Sequence, residues 1–308
     1  MSDLHAVIAE YLSLRRSLGY KLKWDGLLLV EFADFCEREG AATVTTDVAL
    51  AWAKAPTNCA PSWWANRLTV VRVFAKYLRA IDPSAEVPPV GLIRDHNRRA
   101  TPFLYSERDV SLLMIAADGL SNSLVAATFK TLIGLLSVTG LRIGEAIRMD
   151  RADVQWQQGL LRINNSKFNK TREVPLHPSC VEGLRSYVRR RDLECPAPAS
   201  LSFFVSALGH RLHYPLVSQT FAKLARQVGL EPRSKRCRPR MHDFRHTFAV
   251  RTLLGWHKTG VAVEPRLPLL STYLGHSGPQ ATYWYLSATP QLFALIGKRL
   301  DESMGELP

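Results

Sequence analysis

From Leu4 to Leu78 the apolar residues recur every three or four positions, the spacing of one face of an α-helix. "LHAVIAEYLSLRRSLG" predicts an amphipathic helix ending at Gly19, and "WDGLLLVEFADFCEREG" a second ending at Gly40. "TTDVALAWAKA" predicts a third, capped by Thr45 or Thr46, and "APSWWANRLTVVRVFAKYLRAID" a fourth. These make an all-helical unit over residues 1–84. The pattern then breaks in "PSAEVPPVGLIRDHNRRATP", whose four prolines and lack of periodicity predict a linker at 85–104.

A second unit is expected over 105–308. "SERDVSLLMIAADG" starts a helix at a Ser106 cap with Glu107 and Asp109 in its first turn. "SLVAATFKTLIGLLSVTG" is a mostly buried helix stopped by Gly140, and "LRIGEAIRM" a short one. The period then changes to alternation: "ADVQWQQGLLRINNSKFNKTREVPLH" reads as a three-stranded antiparallel meander. It has a tight turn at Gln157 to Gly159 and a polar, basic loop from Asn164 to Thr171. Helices resume over 179–192, 216–228, 241–256, 267–275, 280–286 and 290–300. The fold class is mainly α with one small antiparallel sheet.

The length of 308 residues fits two domains, each able to bury a core. Charge changes the picture more: 40 Lys and Arg face 27 Asp and Glu, a net +13, with a pI of 9.8. Such a surplus points to a polyanionic partner, the alternative being a generally basic surface. Seven Arg and Lys residues fall between Arg233 and Arg251, and Arg185, Arg189, Arg190 and Arg191 crowd one helix. Five scattered cysteines without a CxxC pair fit a reducing compartment and argue against a disulfide framework and a cysteine zinc site. The first residues lack the apolar core of a signal peptide, and no apolar run of about 18 residues occurs. A cytoplasmic or nucleoid-associated protein, with no membrane partner, is expected.

Four segments carry candidate chemistry. In "TGLRIGEAIRMDRADV", Arg142 begins a short helix and Glu145 lies one turn on, an arrangement that serves either an anion site or a surface ion pair. In "MHDFRHTFAVR", His242, Arg245 and His246 share one helical face. Two histidines four apart suggest a metal, but HExxH chemistry needs a glutamate and a third ligand, and an intervening arginine repels a dication. A phosphate clamp is the other reading, with a guanidinium fork beside an imidazole; a polar outer face is the third. Lys167, in the loop with Lys170 and Arg172 behind it, is a DNA-backbone contact, a solvated side chain or a general acid. Last, "LGHSGPQATYWYLS" holds His276, Tyr283, Trp284 and Tyr285. Residues two apart on a helix point about 200° from each other, so only one of these tyrosines can face a pocket.

In this order, "TGLRIGE", "SKFNKTREVPL", "HDFRHTFA" and "LGHSGPQATYWY" resemble the tyrosine recombinase family, the phage integrases and their relatives. The resemblance covers about residues 101–290 as a catalytic domain, and the N-terminal unit looks like the family's SAM-like core DNA-binding domain. It implies Arg142 and Arg245 on the scissile phosphate, Lys167 as acid for the leaving 5′ hydroxyl, His242 and His276 as active-site histidines, and Tyr285 as nucleophile. Lys167 is preferred to Lys170 by counting back from "VPL", although "NNSKFNK" departs from the glycine-flanked lysine common there. The family's distance from histidine to nucleophile selects Tyr285 and returns Tyr283 and Trp284 to packing. The stretch before His276 is longer and more proline-broken than a short connection.

The resemblance further implies double-stranded DNA at specific sites as partner, a dimer on one site and a tetramer in the synaptic complex, and companion recombinases. No cofactor, metal or ATP is required, since a 3′-phosphotyrosine conserves the bond energy. Two arginines can neutralise the nonbridging oxygens, and a tyrosine of reference pKa about 10 needs cationic surroundings or a base to attack. Integration, excision or transposition of a mobile element is the implied role. A noncatalytic DNA-binding relative and a type IB topoisomerase-like nicking enzyme are the alternatives. The 290–300 helix, with Leu292, Leu295, Ile296 and Leu300 in a stripe, packs on its own domain or docks onto a neighbouring protomer.

Overall fold

The computed structural model describes residues 4–94, 100–164, 171–276, 278 and 280–287. The chain divides into two compact units, one ending at Arg99 and the other beginning at Ala100.

In the first unit, α1 (Leu4–Ser17), α2 (Lys23–Arg38), α3 (Thr46–Lys54) and α4 (Pro61–Leu78) turn their apolar faces onto one core. Ile8, Leu29, Phe32, Trp52, Leu68 and Phe74 fill its centre. Thr45 caps α3, its hydroxyl accepting from the Val48 N–H at 3.3 Å. The stretch after α4 is tied to this unit. Ala85 lies in the core, the Glu86 carboxylate accepts from the Thr46 N–H at 2.7 Å, and Arg72 donates to the Pro88 and Pro89 carbonyls at 2.7 and 2.9 Å. At the other end of the expected linker, Phe103 and Tyr105 are buried in the second unit. Residues 85–89 and 103–105 of the expected linker thus pack with the units on either side.

In the second unit, α5 (Glu107–Asp118) opens with a Ser106–Asp109 capping box. Next, α6 (Ser123–Thr139) starts at an Asn122 cap and ends at Gly140 in the left-handed conformation. The apolar α6 packs against α5, α8 and α10, so it is buried on most sides. After α7 (Ile143–Arg148) come β1 (Val154–Gln155), β2 (Leu160–Ile163) and β3 (Arg172–Pro175), antiparallel in the order β1-β2-β3. Val154 pairs with Leu161 and Leu161 with Val174, so the three buried residues form one inward row. The remaining helices are α8 (Pro178–Glu194), α9 (Tyr214–Gln227), α10 (Asp243–Lys258), α11 (Leu267–Leu274) and α12 (Gln280–Ser287). The prolines before His276 do not break this region. Pro265 and Pro268 lie in the first turns of a 3-10 segment and of α11, where a missing N–H costs no hydrogen bond. Leu253, Leu270, Leu274 and Tyr285 join α10, α11 and α12 in a second core cluster. The 290–300 helix lies outside the described residues.

Candidate active site

Two helix ends organise the site. Both α6 and α11 stop at a glycine of positive φ, Gly140 at 62° and Gly275 at 65°. A Cβ at Gly140 would lie 2.5 Å from the Phe248 ring, and one at Gly275 would lie 2.8 Å from the Arg172 guanidinium. A helix end leaves carbonyls unpaired at the negative pole of its dipole, a natural seat for cations. Arg245 donates to the Gly140 carbonyl at 3.0 Å and to the Leu274 carbonyl. Arg142 donates to the Gly275 carbonyl at 2.9 Å, and Arg172 to the Tyr273 carbonyl at 2.9 Å. Three arginines from distant parts of the sequence thus hang on three successive carbonyls of one helix end.

Glu145 is the carboxylate of this group. It is buried and accepts from the Arg142 N–H and side chain at 2.9 and 2.8 Å. Arg172 grips it bidentately at 3.0 and 2.8 Å. Burial pushes this carboxyl up, but the hydrogen bonds and charge of Arg172, and then Arg142, outweigh that and hold it at about 2. Arg245 is itself buried and has no carboxylate within ion-pair distance among the described residues. Burial and the neighbouring Arg142 bring it down to about 10, with Tyr285 and Glu145 acting the other way, so it remains charged at pH 7.

Three imidazoles and a phenol complete the cluster. The Tyr285 hydroxyl lies 3.5 Å from His276 Nε2, and His276 Nδ1 is 2.8 Å from the buried Thr282 hydroxyl. His276 and Tyr285 stack with ring centres 5.8 Å apart. His246 meets His242 at 5.1 Å, Trp284 at 5.0 Å and Tyr285 at 5.3 Å, each edge to face. Burial, then the charges of Arg245, Arg142 and Arg172, push His276 down to about 4. Burial, then His242, Arg240, Arg245 and His276, take His246 to about 3. For His242, burial of part of the ring and the field of Arg245, Arg240 and Arg142 give about 4. That residue keeps an exposed face, so the cationic field is the firmer of its two causes. All three rings are neutral at pH 7.

Of the expected site residues, Arg142, His242, Arg245, His276 and Tyr285 come together here. Lys167 lies outside the described residues. Tyr285 is 3% exposed and Tyr283 53%, so the two tyrosines do point to opposite sides. Among the described residues, His242 and His246 have no third histidine, cysteine or carboxylate placed to share a metal ion; the one such group is His5, Asp34 and Glu37 in the first unit. Arg172 and His246 have no role among those the family resemblance implies: in the sequence His246 is only one of three residues sharing a helical face, and Arg172 only a cation behind Lys167. Alternation held a signal for the first: Arg172 is two residues before buried Val174 and shares its inward face.

The charge clusters also sort themselves. On α8, Arg189 pairs with Glu182 and Arg190 with Glu194, while Arg191 is buried against Asp192 and the Phe203 carbonyl. Between 233 and 251, Arg233 covers the Phe103 ring, Arg240 pairs with buried Asp243, and Arg251 donates to the Tyr105 carbonyl. Lys235, Arg236 and Arg238 are exposed, and among the described residues their side chains have no partner. They project from a turn closed by a Ser234–Cys237 bridge and anchored by buried Cys237.

The phage integrase family model matches residues 104–291. A protein named as an integrase/recombinase, y4rB of Sinorhizobium fredii, is 42% identical over 307 residues, covering 98% of both chains. The Tn1549 transposon integrase, solved with a circular-intermediate DNA, superposes with a TM-score of 0.67 at 15% identity over 96% of this chain and 99% of that one. The XerH recombinase bound to its difH substrate gives 0.63 at 18% identity over 91% and 78%. The helical bundle and small sheet are thus the tyrosine recombinase fold, and the chain belongs to the phage integrase family.

Proposed function

We propose that this enzyme is a site-specific DNA recombinase that cuts and rejoins strands through a 3′-phosphotyrosine at Tyr285. The observation that carries the reading is the Tyr285 hydroxyl held 3.5 Å from His276 Nε2, beside Arg245, which has no carboxylate within ion-pair distance among the described residues, and Arg142, which shares Glu145 with Arg172. A phosphodiester resists attack because it is anionic. Arg142 and Arg245 offset that charge on the nonbridging oxygens as it grows in the transition state. The Tyr285 oxygen bonds to phosphorus while the bond to the 5′ oxygen breaks. Lys167 gives the leaving oxygen its proton, and the phenolic proton passes to an imidazole, with His276 adjacent and neutral at pH 7. Attack by a 5′ hydroxyl of another strand reverses the step without ATP.

Double-stranded DNA is the partner. The exposed turn with Lys235, Arg236 and Arg238 suits its phosphates, and the residues before about 100 form the second DNA-binding unit. The enzyme works as a dimer on one site and a tetramer across two, with companion recombinases, in moving a mobile element within the cytoplasm. No helix among the described residues is long and apolar enough to cross a membrane.

The test is a suicide substrate nicked beside the cleavage point, which traps the covalent adduct. The wild type should form it and Tyr285→Phe should not, while both bind the site equally; Tyr283→Phe should keep the adduct. Binding without an adduct in the wild type would leave a noncatalytic DNA-binding protein. Relaxation of supercoils by a monomer would favour the topoisomerase reading.

A further inference from the structure

We propose that Arg172 is a positioning residue that sets the charge of the site: by sharing Glu145 with Arg142 it leaves the arginine set two positive charges in surplus. The proposal rests on the recombinase reading and deepens it.

The argument begins from Glu145. A buried carboxylate held ionised beside a single arginine forms a neutral pair, and a neutral pair cannot offset charge on a phosphate. Here each Glu145 oxygen is shared. Oε1 accepts from Arg142 and Arg172, and Oε2 from the Arg142 backbone N–H and Arg172. With Arg245 seated on the Gly140 and Leu274 carbonyls and against the Tyr285 phenol, three guanidinium charges face one carboxylate. The other acid on α10's first turn, Asp243, is balanced by Arg240, and the three histidines are neutral at pH 7. Once the phenolic proton has passed to an imidazole, attack on the phosphodiester reaches a doubly negative pentacoordinate state, and the arginine surplus of two opposes that charge together with Lys167 and the protonated imidazole. Removing the Arg172 charge would leave Glu145 to Arg142 alone and cut the surplus to one.

Position supports the same role. Arg172 opens β3 a few residues after Lys167 in the sequence, and its Nε is fixed on the Tyr273 carbonyl. Its guanidinium occupies the space a Cβ at Gly275 would fill. It therefore reaches Arg142 through Glu145 on one side and borders the backbone that places His276 on the other, without being aimed at a reacting atom itself.

The test compares two scissile groups, a phosphodiester and a methylphosphonate whose nonbridging methyl removes the negative charge. For Arg172→Met, adduct formation on the phosphodiester should fall about 100-fold, the scale of one lost electrostatic group, with DNA binding unchanged. On the methylphosphonate the loss should be under about tenfold, because less charge has to be offset. The double variant Arg172→Met/Glu145→Gln restores the surplus of two and should recover part of the phosphodiester activity. Equal losses on both substrates, or a double variant no better than the single one, would overturn the proposal and leave Arg172 a packing residue. The heat stability gained from orthovanadate gives an independent readout. If the wild type makes no adduct but gains stability from vanadate in an Arg172-dependent way, the recombinase reading fails and the charge assignment stands.

Discussion

Both units bury arginines, and Arg67 in the first and Arg245 in the second are treated in opposite ways. In the first, Arg67 on α4 stacks on the Trp52 ring at 3.7 Å and donates to Glu31 at 2.9 Å and to the Trp52 carbonyl at 3.1 Å. In the second, Arg245 is buried as deeply but satisfies its N–H groups on carbonyls and faces no carboxylate of its own. Hydrogen bonds to neutral acceptors repay part of the desolvation cost and leave the charge in place. An arginine buried with its counter-ion belongs to the architecture. One buried without it is poised for an anion that arrives later.

That contrast can be broken experimentally. The largest effect is expected at the hydroxyl beside Arg245 in the second unit: Tyr285→Phe should abolish the covalent adduct on denaturing gels. Next, Arg245→Met should lower the cleavage rate by about 10²- to 10³-fold while chemical denaturation shows little loss of stability, since a costly buried cation has been removed. For Arg67→Met the pattern should invert, with about 2 kcal/mol of stability lost and the cleavage rate of the folded protein unchanged. If both variants lose activity and stability together, the distinction fails.

Smaller effects refine it. The depressed histidines bind protons better unfolded, at about 6.5, than folded, at about 4 for His276. Their contribution to stability is therefore full above pH 6.5 and is lost as pH falls from there toward 4. Urea midpoints across that window should fall less steeply in His276→Gln than in the wild type. Smallest of all, replacing Lys235, Arg236 and Arg238 by serine should reduce the slope of log affinity against log salt by about two to three, without altering the cleavage rate of bound substrate. Unchanged salt dependence would remove that turn from the DNA surface.

Much of this was legible in the sequence because it is local. The helix of Ser123–Thr139, its stop at Gly140 and the meander of alternating residues follow from periodicity and turn chemistry within short windows. So does the opposite facing of Tyr283 and Tyr285, a consequence of 3.6 residues per turn. What sequence reading could not supply is partnership across distance. Arg172 looked like one more loop cation, and only the approach of β3 to α7 and α11 turns it into the second owner of Glu145. His246 needed α12 to fold back over α10 before its ring could meet Trp284 and Tyr285. The Arg185–Arg191 cluster crowds one helix in the sequence, yet three of its members are matched with acids whose pairing depends on helical phase and on the fold.

The end of α11 has a dynamic consequence. Tyr273, Leu274 and Gly275 hold Arg172, Arg245 and Arg142 on adjacent rungs, so a movement of this helix end acts on all three cations at once. A slide of the helix end by about 1.5 Å, one residue's rise, would exceed the tolerance of all these hydrogen bonds together. Each molecule should then be either fully armed or idle, and a factor that shifts this helix would change how many molecules react rather than how fast each one does.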